Sequence, residues 1–218
     1  MKIYFLSGLG ADKRAFQYLT FPERFEKVYL EWILPIKNET LRGYAKRISE
    51  KIDHSEPFIL IGLSFGGILS TEVLEFVKPE KTFLISSVAR RIELPLFYRI
   101  SGRLQLNKLL PESASNRSNL ITHWIFGISD PKDKFLLNEI LVNTDIRFSK
   151  WAVNALLNWH RKETPDNIIR IHGNKDKLLP ILNCKPDYVI NNAGHFMVFV
   201  QAKQVSEILK KELEGFGH

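Results

Sequence analysis

A serine flanked by glycines is the first feature of the sequence that could carry chemistry. Ser64 follows the apolar run Phe58–Ile61 and stands in the pattern Gly-x-Ser-x-Gly with Gly62 and Gly66. The apolar run predicts a buried strand, and the residues after Gly67 predict a helix. A turn this sharp strains its central residue and crowds the positions beside it, so small residues are expected there. The pattern therefore predicts an exposed serine hydroxyl at the end of a strand.

A serine hydroxyl needs a base before it acts as a nucleophile, and the base needs an acid that orients it. Of the six histidines, His195 is the best candidate, because it follows a turn of small residues between the last predicted strand and the last predicted helix. Asp176 comes just after the penultimate predicted strand, at the same edge of the sheet. Glu93, after the preceding strand, and Asp187, at the opposite edge, are the alternative acids. We favour Asp176 over both.

An amide at the turn could bind the negative charge that forms when the serine attacks. The N–H of Phe65 lies at the start of the predicted helix, directly after Ser64. Free amides at a helix N-terminus favour negative charge, and such donors stabilise the oxyanion of acyl transfer. We therefore expect the Phe65 amide to be one oxyanion donor.

Strands and helices alternate along most of the chain. The predicted strands are 2–6, 27–32, 57–62, 81–87, 167–173 and 187–191. One predicted helix begins after Asn38 or Thr40, either of which could cap it, and the others span 65–78 and about 198–213. This alternation predicts an α/β fold, with a mostly parallel sheet of about six strands and helices on both faces.

The alternation is interrupted once, between two strands. Residues 90–163 contain no good strand but two helical patterns, one capped by Asp130 and Pro131. In the second, six apolar residues form one stripe: Phe148, Trp151, Ala152, Ala155, Leu156 and Trp159. We predict a core of residues 1–89 and 164–218 with a helical cap inserted at 90–163. An insertion after a strand lies where open α/β sheets bind ligands.

The order Ser64, Asp176, His195 along the chain is the order found in α/β-hydrolases. The sequence resembles that family over nearly its whole length. GLSFGG (62–67) is similar to the nucleophile elbow, HGNKDKLLP (172–180) to the acid loop and NAGHF (192–196) to the histidine loop. The resemblance is greatest to small bacterial hydrolases with a helical cap, although the family's usual first two antiparallel strands are missing.

The segment LSGLGADKRAF (6–16) resembles the oxyanion loop of the family. Ser7 stands where the family often has histidine, and the following glycines are kept. The resemblance implies that the Leu9 amide is the second oxyanion donor. It also implies a cofactor-free serine hydrolase that cleaves an ester or thioester through an acyl-enzyme. Carbon–carbon bond hydrolysis and lyase chemistry use the same residues on this fold and remain alternatives.

Two other classes of protein compete with this interpretation. Gly8 and Gly10 follow a strand and Glu31 ends the next, as in a Rossmann oxidoreductase that binds NAD(P). Lys13 occupies the third glycine position, where a bulky side chain opposes close helix–strand packing. The second competitor is a non-catalytic ligand-binding protein on a hydrolase fold, since a fold alone does not prove catalysis.

The composition limits the remaining classes. Cys184 is the single cysteine, which excludes an intramolecular disulfide and favours a reducing compartment; we expect a small buried hydrophobe there. No apolar run is long enough for a signal sequence or a membrane span, so we expect a cytoplasmic protein. The net charge is +7, but no zinc-finger spacing, RNA-binding motif or basic run accompanies it, so we expect no nucleic-acid partner. No cluster of ligand residues predicts a metal site.

Most of the positive charge falls in the insertion. Residues 90–163 hold 12 Lys and Arg against 7 Asp and Glu, and three of the four tryptophans. One interpretation is a cap with a core of its own and a solvated basic exterior. The other is an inner face that forms an apolar acyl pocket, with basic residues that attract an anionic substrate or an acidic carrier. Its candidate substrate-binding residues are Trp124, Trp151, Arg90, Arg91, Arg99 and Arg103.

Overall fold

A six-stranded parallel sheet forms the centre of the protein. The computed structural model describes residues 1–103 and 120–216. Within them the strands are β1 (Lys2–Leu6), β2 (Glu26–Leu30), β3 (Phe58–Leu63), β4 (Lys81–Ile85), β5 (Ile168–Gly173) and β6 (Tyr188–Ile190). Their order is β2-β1-β3-β4-β5-β6, and all five pairings are parallel. The predicted fold class and strands are confirmed, with strand ends that differ by at most two residues.

Eight helices surround the sheet in the described part of the chain. They are α1 (Leu41–Ser49), α2 (Phe65–Val73), α3 (Leu96–Arg103), α4 (Leu120–Phe126), α5 (Pro131–Val142), α6 (Ile146–Leu157), α7 (Met197–Val200) and α8 (Ala202–Leu213). Short 3-10 turns occur at Lys13–Phe16, Arg91–Glu93 and Ile181–Asn183. None of the described helices has the length and apolar character needed to cross a bilayer.

Both faces of the sheet are buried, which explains why its strands are apolar runs rather than alternating patterns. In β1, Ile3 and Phe5 belong to one hydrophobic cluster, which includes residues of α7 and α8. Tyr4 and Leu6 belong to a second cluster, which includes residues of α1 and α2. Successive side chains of a strand point to opposite faces, so one run supplies both clusters.

The inserted helices share the core of the sheet. Leu137 and Ile140 of α5 belong to the α8-side cluster, while Phe148 and Ala152 of α6 belong to the α1-side cluster. These residues correct the expectation that the insertion buries a core of its own. The division into residues 1–89 with 164–218 and a separate cap at 90–163 stays a prediction.

Two helices differ from what their apolar patterns predict. The predicted helix 65–78 ends at Val73, where i+3 hydrogen bonds tighten the chain before Pro79. A proline disfavours helical geometry only at the residue before it, so Pro79 excludes the last predicted residue, Lys78, but does not explain the end at Val73. The predicted helix 198–213 is two helices, because Gln201 leaves helical geometry at φ −120° and ψ 32°. A one-residue break does not disturb the apolar periodicity that we used to predict the helix.

Candidate active site

Ser64 occupies a strained turn between β3 and α2. Its backbone has φ 52° and ψ −119°, a region that residues with a side chain seldom adopt. A Cβ added at Gly62 would lie 2.4 Å from Ser70 Oγ, and one at Gly66 would lie 2.2 Å from the Leu6 carbonyl oxygen. The glycines therefore let α2 pack tightly against β1 and β3, as the sequence pattern predicted.

Neighbouring strands hold the turn in place. The Ser64 N–H donates to the carbonyl of Ile85, at the end of β4, at 2.9 Å. Ser87 Oγ donates to the carbonyl oxygen of Ser64 at 2.7 Å. Both partners follow from the position of β4 beside β3, and together they offset the strain of the positive φ.

Three side chains from separate loops meet at the turn. Ser64 Oγ lies 2.8 Å from His195 Nε2, and His195 Nδ1 lies 2.8 Å from Asp176 Oδ2. An ionised carboxylate only accepts hydrogen bonds, so Nδ1 carries the ring proton and Nε2 is free to accept the serine proton. The arrangement can pass a proton from the serine hydroxyl to the imidazole, as nucleophilic attack requires.

The Asp176 carboxylate is buried but fully bonded. Its Oδ1 accepts the N–H groups of Leu178 and Leu179 at 2.9 and 2.8 Å. Burial alone would raise the pKa of Asp176, but the charge of His195, the neighbouring imidazoles and the Leu179 amide outweigh it and hold the pKa well below its usual range. The carboxylate is therefore ionised at neutral pH and orients the His195 ring.

The two alternative acids, Glu93 and Asp187, bind other groups. Glu93 is 1% exposed, accepts the Ala89 N–H at 2.8 Å and pairs with Arg170 at 3.1 Å. Asp187 accepts the backbone N–H of Arg170 at 2.8 Å. Glu93 is thus neutralised by a buried arginine, and Asp187 stabilises the start of β6.

The predicted oxyanion donors lie beside the serine. Leu9 and Phe65 line the same cavity as Ser64 and His195. A Cβ added at Gly8 would lie 3.7 Å from Ser64 Cβ, so the loop after β1 runs directly past the serine. Within residues 1–103 and 120–216, neither amide donates to a protein acceptor. Both N–H groups are therefore available to a bound oxygen.

Three hydrogen bonds support this loop. Ser7 Oγ donates to the carbonyl of Ala11, which also accepts the Trp32 Nε1–H at 2.9 Å. Thr144 lies between α5 and α6. Its Oγ1 is 3.1 Å from the Gly10 carbonyl oxygen and 2.7 Å from the carbonyl oxygen of Ile140 in α5. Ser7 thus bonds to the loop from the position where the family often has histidine. The contribution of Thr144 had no signal in the sequence.

An apolar cavity of about 280 Å³ opens above the serine. Among its described lining residues there is no Asp, Glu, Lys or Arg. Its walls combine the loops at the sheet edge with the inserted helices, and Phe126 packs edge-on against the His195 ring at 5.4 Å. The cavity suits an uncharged apolar group placed next to the serine hydroxyl.

Two rows of apolar residues on the inserted helices form much of the wall, and the predicted stripe contains only Leu156 of them. They are Leu137, Ile140 and Leu141 on α5, and Val153, Leu156 and Leu157 on α6. Each row has the three- and four-residue spacing of one helix face, which was a usable signal. The stripe that we identified on α6 is mainly the adjacent face, and it packs toward α1 and the sheet.

The predicted substrate-binding tryptophans do not line this cavity. Trp151 packs against Tyr44 and Phe65, with ring centroids 4.3 and 6.2 Å away, and its Nε1–H donates to the Glu39 carbonyl. Trp124 is 64% exposed, and the Lys177 ammonium lies 3.8 Å from its ring centroid. One faces the core and the other faces solvent, and their role in substrate binding stays a prediction.

The predicted substrate-binding arginines are also outside the cavity. Arg90 pairs with Glu93 at 2.9 Å. Arg91 donates to the Leu157 carbonyl at 2.9 Å, and with Arg99 it lines a separate surface groove. These three residues connect segments of the insertion or face the groove, and their role in substrate binding stays a prediction. The side chain of Arg103 lies outside the described residues.

A second histidine contacts the acid loop. His172 on β5 has no exposed surface, and its Nε2 lies 2.7 Å from the Leu179 carbonyl oxygen and 3.4 Å from Asp176 Oδ2. Burial alone would lower the pKa of His172, but its interactions with Asp176 and Cys184 raise it to about 10. In the described part of the chain, no group of His, Cys, Asp or Glu is arranged to hold a metal ion.

Comparisons with known proteins identify the fold. No protein-family model matches the sequence, and no curated protein matches it. Among solved structures, a lipase-esterase related protein from Clostridium acetobutylicum superimposes with a TM-score of 0.67 at 18% identity, covering 96% of this chain and 93% of that one. A thermophilic esterase from Thermogutta terrifontis has a TM-score of 0.67 at 14% identity, covering 99% and 90%.

A bromoperoxidase from Bacillus anthracis is similar to the same extent, with a TM-score of 0.66 at 12% identity over 95% of this chain and 90% of that one. These neighbours, together with the sheet order and the serine turn, define the class. The chain has the α/β-hydrolase fold, as its motifs predicted.

Proposed function

We propose that this protein is a serine hydrolase that needs no cofactor and cleaves an ester or thioester of an uncharged, apolar acyl group. The observation that carries the proposal is the hydrogen-bonded series Ser64, His195, Asp176, with 2.8 Å at each step, at the base of an apolar cavity. In this proposal Ser64 is the nucleophile, His195 the base and Asp176 the acid that orients it.

The first half of the reaction forms the acyl-enzyme. Ser64 Oγ attacks the acyl carbon while its proton moves to His195 Nε2, and the carbonyl oxygen becomes negative. The Leu9 and Phe65 amides donate to that oxygen, and Asp176 stabilises the imidazolium. The tetrahedral species then breaks its bond to the leaving oxygen or sulfur, which takes the proton from Nε2.

The second half releases the acid. Water attacks the acyl-enzyme carbon as His195 Nε2 takes its proton, and the same two amides bind the oxyanion. The bond to Ser64 Oγ breaks, and Oγ recovers the proton from the imidazolium. The products are the carboxylic acid and the regenerated Ser64, His195 and Asp176.

The neighbours with this fold support a hydrolase in general terms, since several are named as esterases or lipases. One neighbour is named a bromoperoxidase, so the fold alone does not select the reaction. The NAD(P) alternative has little support, because β1 leads only into the four-residue 3-10 turn Lys13–Phe16. A dinucleotide-binding helix would begin at that place and direct its N-terminus at the pyrophosphate.

A labelling experiment tests the nucleophile. A fluorophosphonate probe is expected to label the wild-type protein without any added cofactor, and Ser64→Ala is expected to abolish the labelling. Ser55→Ala is the matched control, because Ser55 is exposed and, among the residues that the structure describes, bonds only to nearby Asp53. Labelling that persists in Ser64→Ala would refute the assignment of the nucleophile.

A substrate panel tests the reaction. Matched oxygen esters, thioesters and a β-diketone of one acyl group separate acyl transfer from carbon–carbon cleavage. We expect turnover of the ester or the thioester that Ser64→Ala removes. A folded wild-type protein that binds these compounds and turns over none of them would favour the non-catalytic alternative.

A further inference from the structure

His172 is a buried imidazole for which the proposed mechanism has no use. It lies on β5, four residues before Asp176, with no surface exposed to solvent. Its Nε2 is 2.7 Å from the carbonyl oxygen of Leu179. A carbonyl oxygen only accepts hydrogen bonds, so Nε2 carries a proton and donates it. The same N–H lies 3.4 Å from Asp176 Oδ2.

This contact completes the surroundings of the acid. Asp176 Oδ1 accepts two backbone amides, and Oδ2 faces two imidazoles, His195 at 2.8 Å and His172 at 3.4 Å. Leu179 is held at both ends, because its N–H donates to Asp176 Oδ1 and its carbonyl accepts from His172. The loop from Asp176 to Leu179 is thus fixed to β5 through one side chain.

We propose that His172 is a positioning residue for the hydrolase reaction: it keeps Asp176 Oδ2 directed at His195 and limits the negative charge that this carboxylate presents to the His195 ring. The inference rests on the proposed function for its kinetic part. Its electrostatic part concerns only the side chains of His172, Asp176 and His195, and it applies whatever the substrate is.

The charges around the carboxylate support this role. The titratable groups that face Asp176 are His195 after β6, His172 on β5 and Tyr98 on α3, with Cys184 beside His172. Interactions with Asp176 and Cys184 raise the pKa of His172 to about 10 despite its burial. The raised pKa favours the protonated ring of His172, which then places a second positive charge beside Asp176, in addition to that of His195.

Two consequences follow from removing this group. Without a positive neighbour, Asp176 acts more strongly on His195, so the pH midpoint at which His195 titrates moves upward. Without the Nε2 donor, the Leu179 carbonyl is left unpaired and the acid loop loses its anchor, so Asp176 is less well placed. The first effect is electrostatic, and the second is geometric.

Two substitutions separate these effects. His172→Leu removes both the donor and the charge. His172→Gln keeps an amide N–H near the position of Nε2 but carries no charge. His54→Leu is the matched control, because His54 is an exposed histidine in a loop far along the sequence from the acid. Each variant is first compared with wild type by circular dichroism and thermal unfolding.

The titration of His195 is followed by NMR on protein with labelled histidine and no substrate. We expect its midpoint to rise by about half a pH unit or more in His172→Leu and in His172→Gln, as for loss of a neighbouring charge. His54→Leu is expected to leave it unchanged. An unchanged midpoint in folded His172→Gln would overturn the proposal, even if the Leu variant failed to fold.

The kinetic part uses the best ester of the panel. We expect kcat to fall about tenfold or more in His172→Leu, since small displacements of catalytic groups have large effects, and to recover in His172→Gln. The acid limb of the kcat/KM profile is expected to move with the NMR midpoint. Equal losses in both variants with unshifted pH profiles would show a merely structural residue. A protein that shows the NMR shift but hydrolyses nothing would instead refute the proposed function.

Discussion

The length of the acyl chain is the property that the cavity above Ser64 specifies most directly. Its volume is about 280 Å³, and its described walls are apolar. Since a water molecule takes roughly 30 Å³ and a methylene group is similar in size, the cavity holds about eight or nine carbon atoms. We therefore expect kcat/KM to increase with chain length up to about eight carbons and to level off or fall beyond that.

The slope of this increase follows from burial. Each buried methylene contributes about 0.8 kcal/mol, which is about a fourfold gain in kcat/KM if the full amount reaches the transition state. From a two-carbon to an eight-carbon acyl group, the gain is at most about three and a half orders of magnitude. Partial burial and the ordering of the chain reduce it, so about two orders is the expected result.

A substitution on α6 moves this optimum. Val153 lines the cavity, and Val153→Phe adds four carbons to the wall, so we expect the preferred acyl group to shorten by about three carbons. Val142→Phe on α5 is the matched control, because Val142 is 47% exposed and does not line the cavity. The assay is kcat/KM for p-nitrophenyl esters of two to sixteen carbons, with thermal unfolding as the check on folding.

Either of two results would refute this reasoning. A wild-type preference for acetate over all longer esters would mean that the acyl group does not enter the cavity. An unchanged optimum in a folded Val153→Phe variant would mean the same. A shift of equal size in Val142→Phe would show that the optimum responds to changes elsewhere in the insertion.

Two further predictions concern the oxyanion loop and the effect of pH on stability. Thr144→Val removes the hydroxyl that contacts the Gly10 carbonyl, so kcat is expected to fall about tenfold, with Thr144→Ser close to wild type; equal kcat in both variants would contradict this support of the loop. The pKa of His172 is raised to about 10 in the folded protein, above its usual 6.5. The protonated ring therefore contributes fully to the free energy of unfolding below about pH 6.5, and this contribution is lost as pH rises toward 10. Urea unfolding should therefore show the advantage of wild type over His172→Gln decreasing from pH 6.5 to 10, and an advantage that grows over this range would reverse the assigned sign.

The meeting of Ser64, Asp176 and His195 was predictable because each residue follows a strand of a parallel sheet. Parallel strands end at one edge, so residues far apart in sequence arrive together once the strand assignments are right. Ser64 comes directly after β3, and Asp176 and His195 lie in the loops that follow β5 and β6. Predicted strand ends that differ by up to two residues did not disturb this placement, because loops at the same edge remain neighbours.

The contents of the insertion were not predictable to the same depth. Two of its helices, α5 and α6, were predicted from periodicity and caps, including the Asp130 side chain that accepts the Lys132 N–H at 2.7 Å, whereas α3 and α4 were not predicted. Which helix face turns toward the serine depends on how α5 and α6 dock on the sheet, and no local pattern encodes that. We predicted tryptophan and arginine as substrate-binding residues because of their chemistry. The inserted helices instead line the cavity mainly with leucine, isoleucine and valine.

Glu93 and Asp176 show what decides between two carboxylates that both follow strands. Glu93 is as buried as Asp176, but Arg170 from β5 and Arg90 lie 3.1 and 2.9 Å from its Oε1. Two guanidinium groups neutralise the charge of the Glu93 carboxylate, so this carboxylate is poorly suited to orient an imidazole. Asp176 instead faces imidazoles and backbone amides, and it is the carboxylate bonded to His195. The pairing of Glu93 with Arg170 joins positions 77 residues apart, so it could not be seen before the strands were aligned.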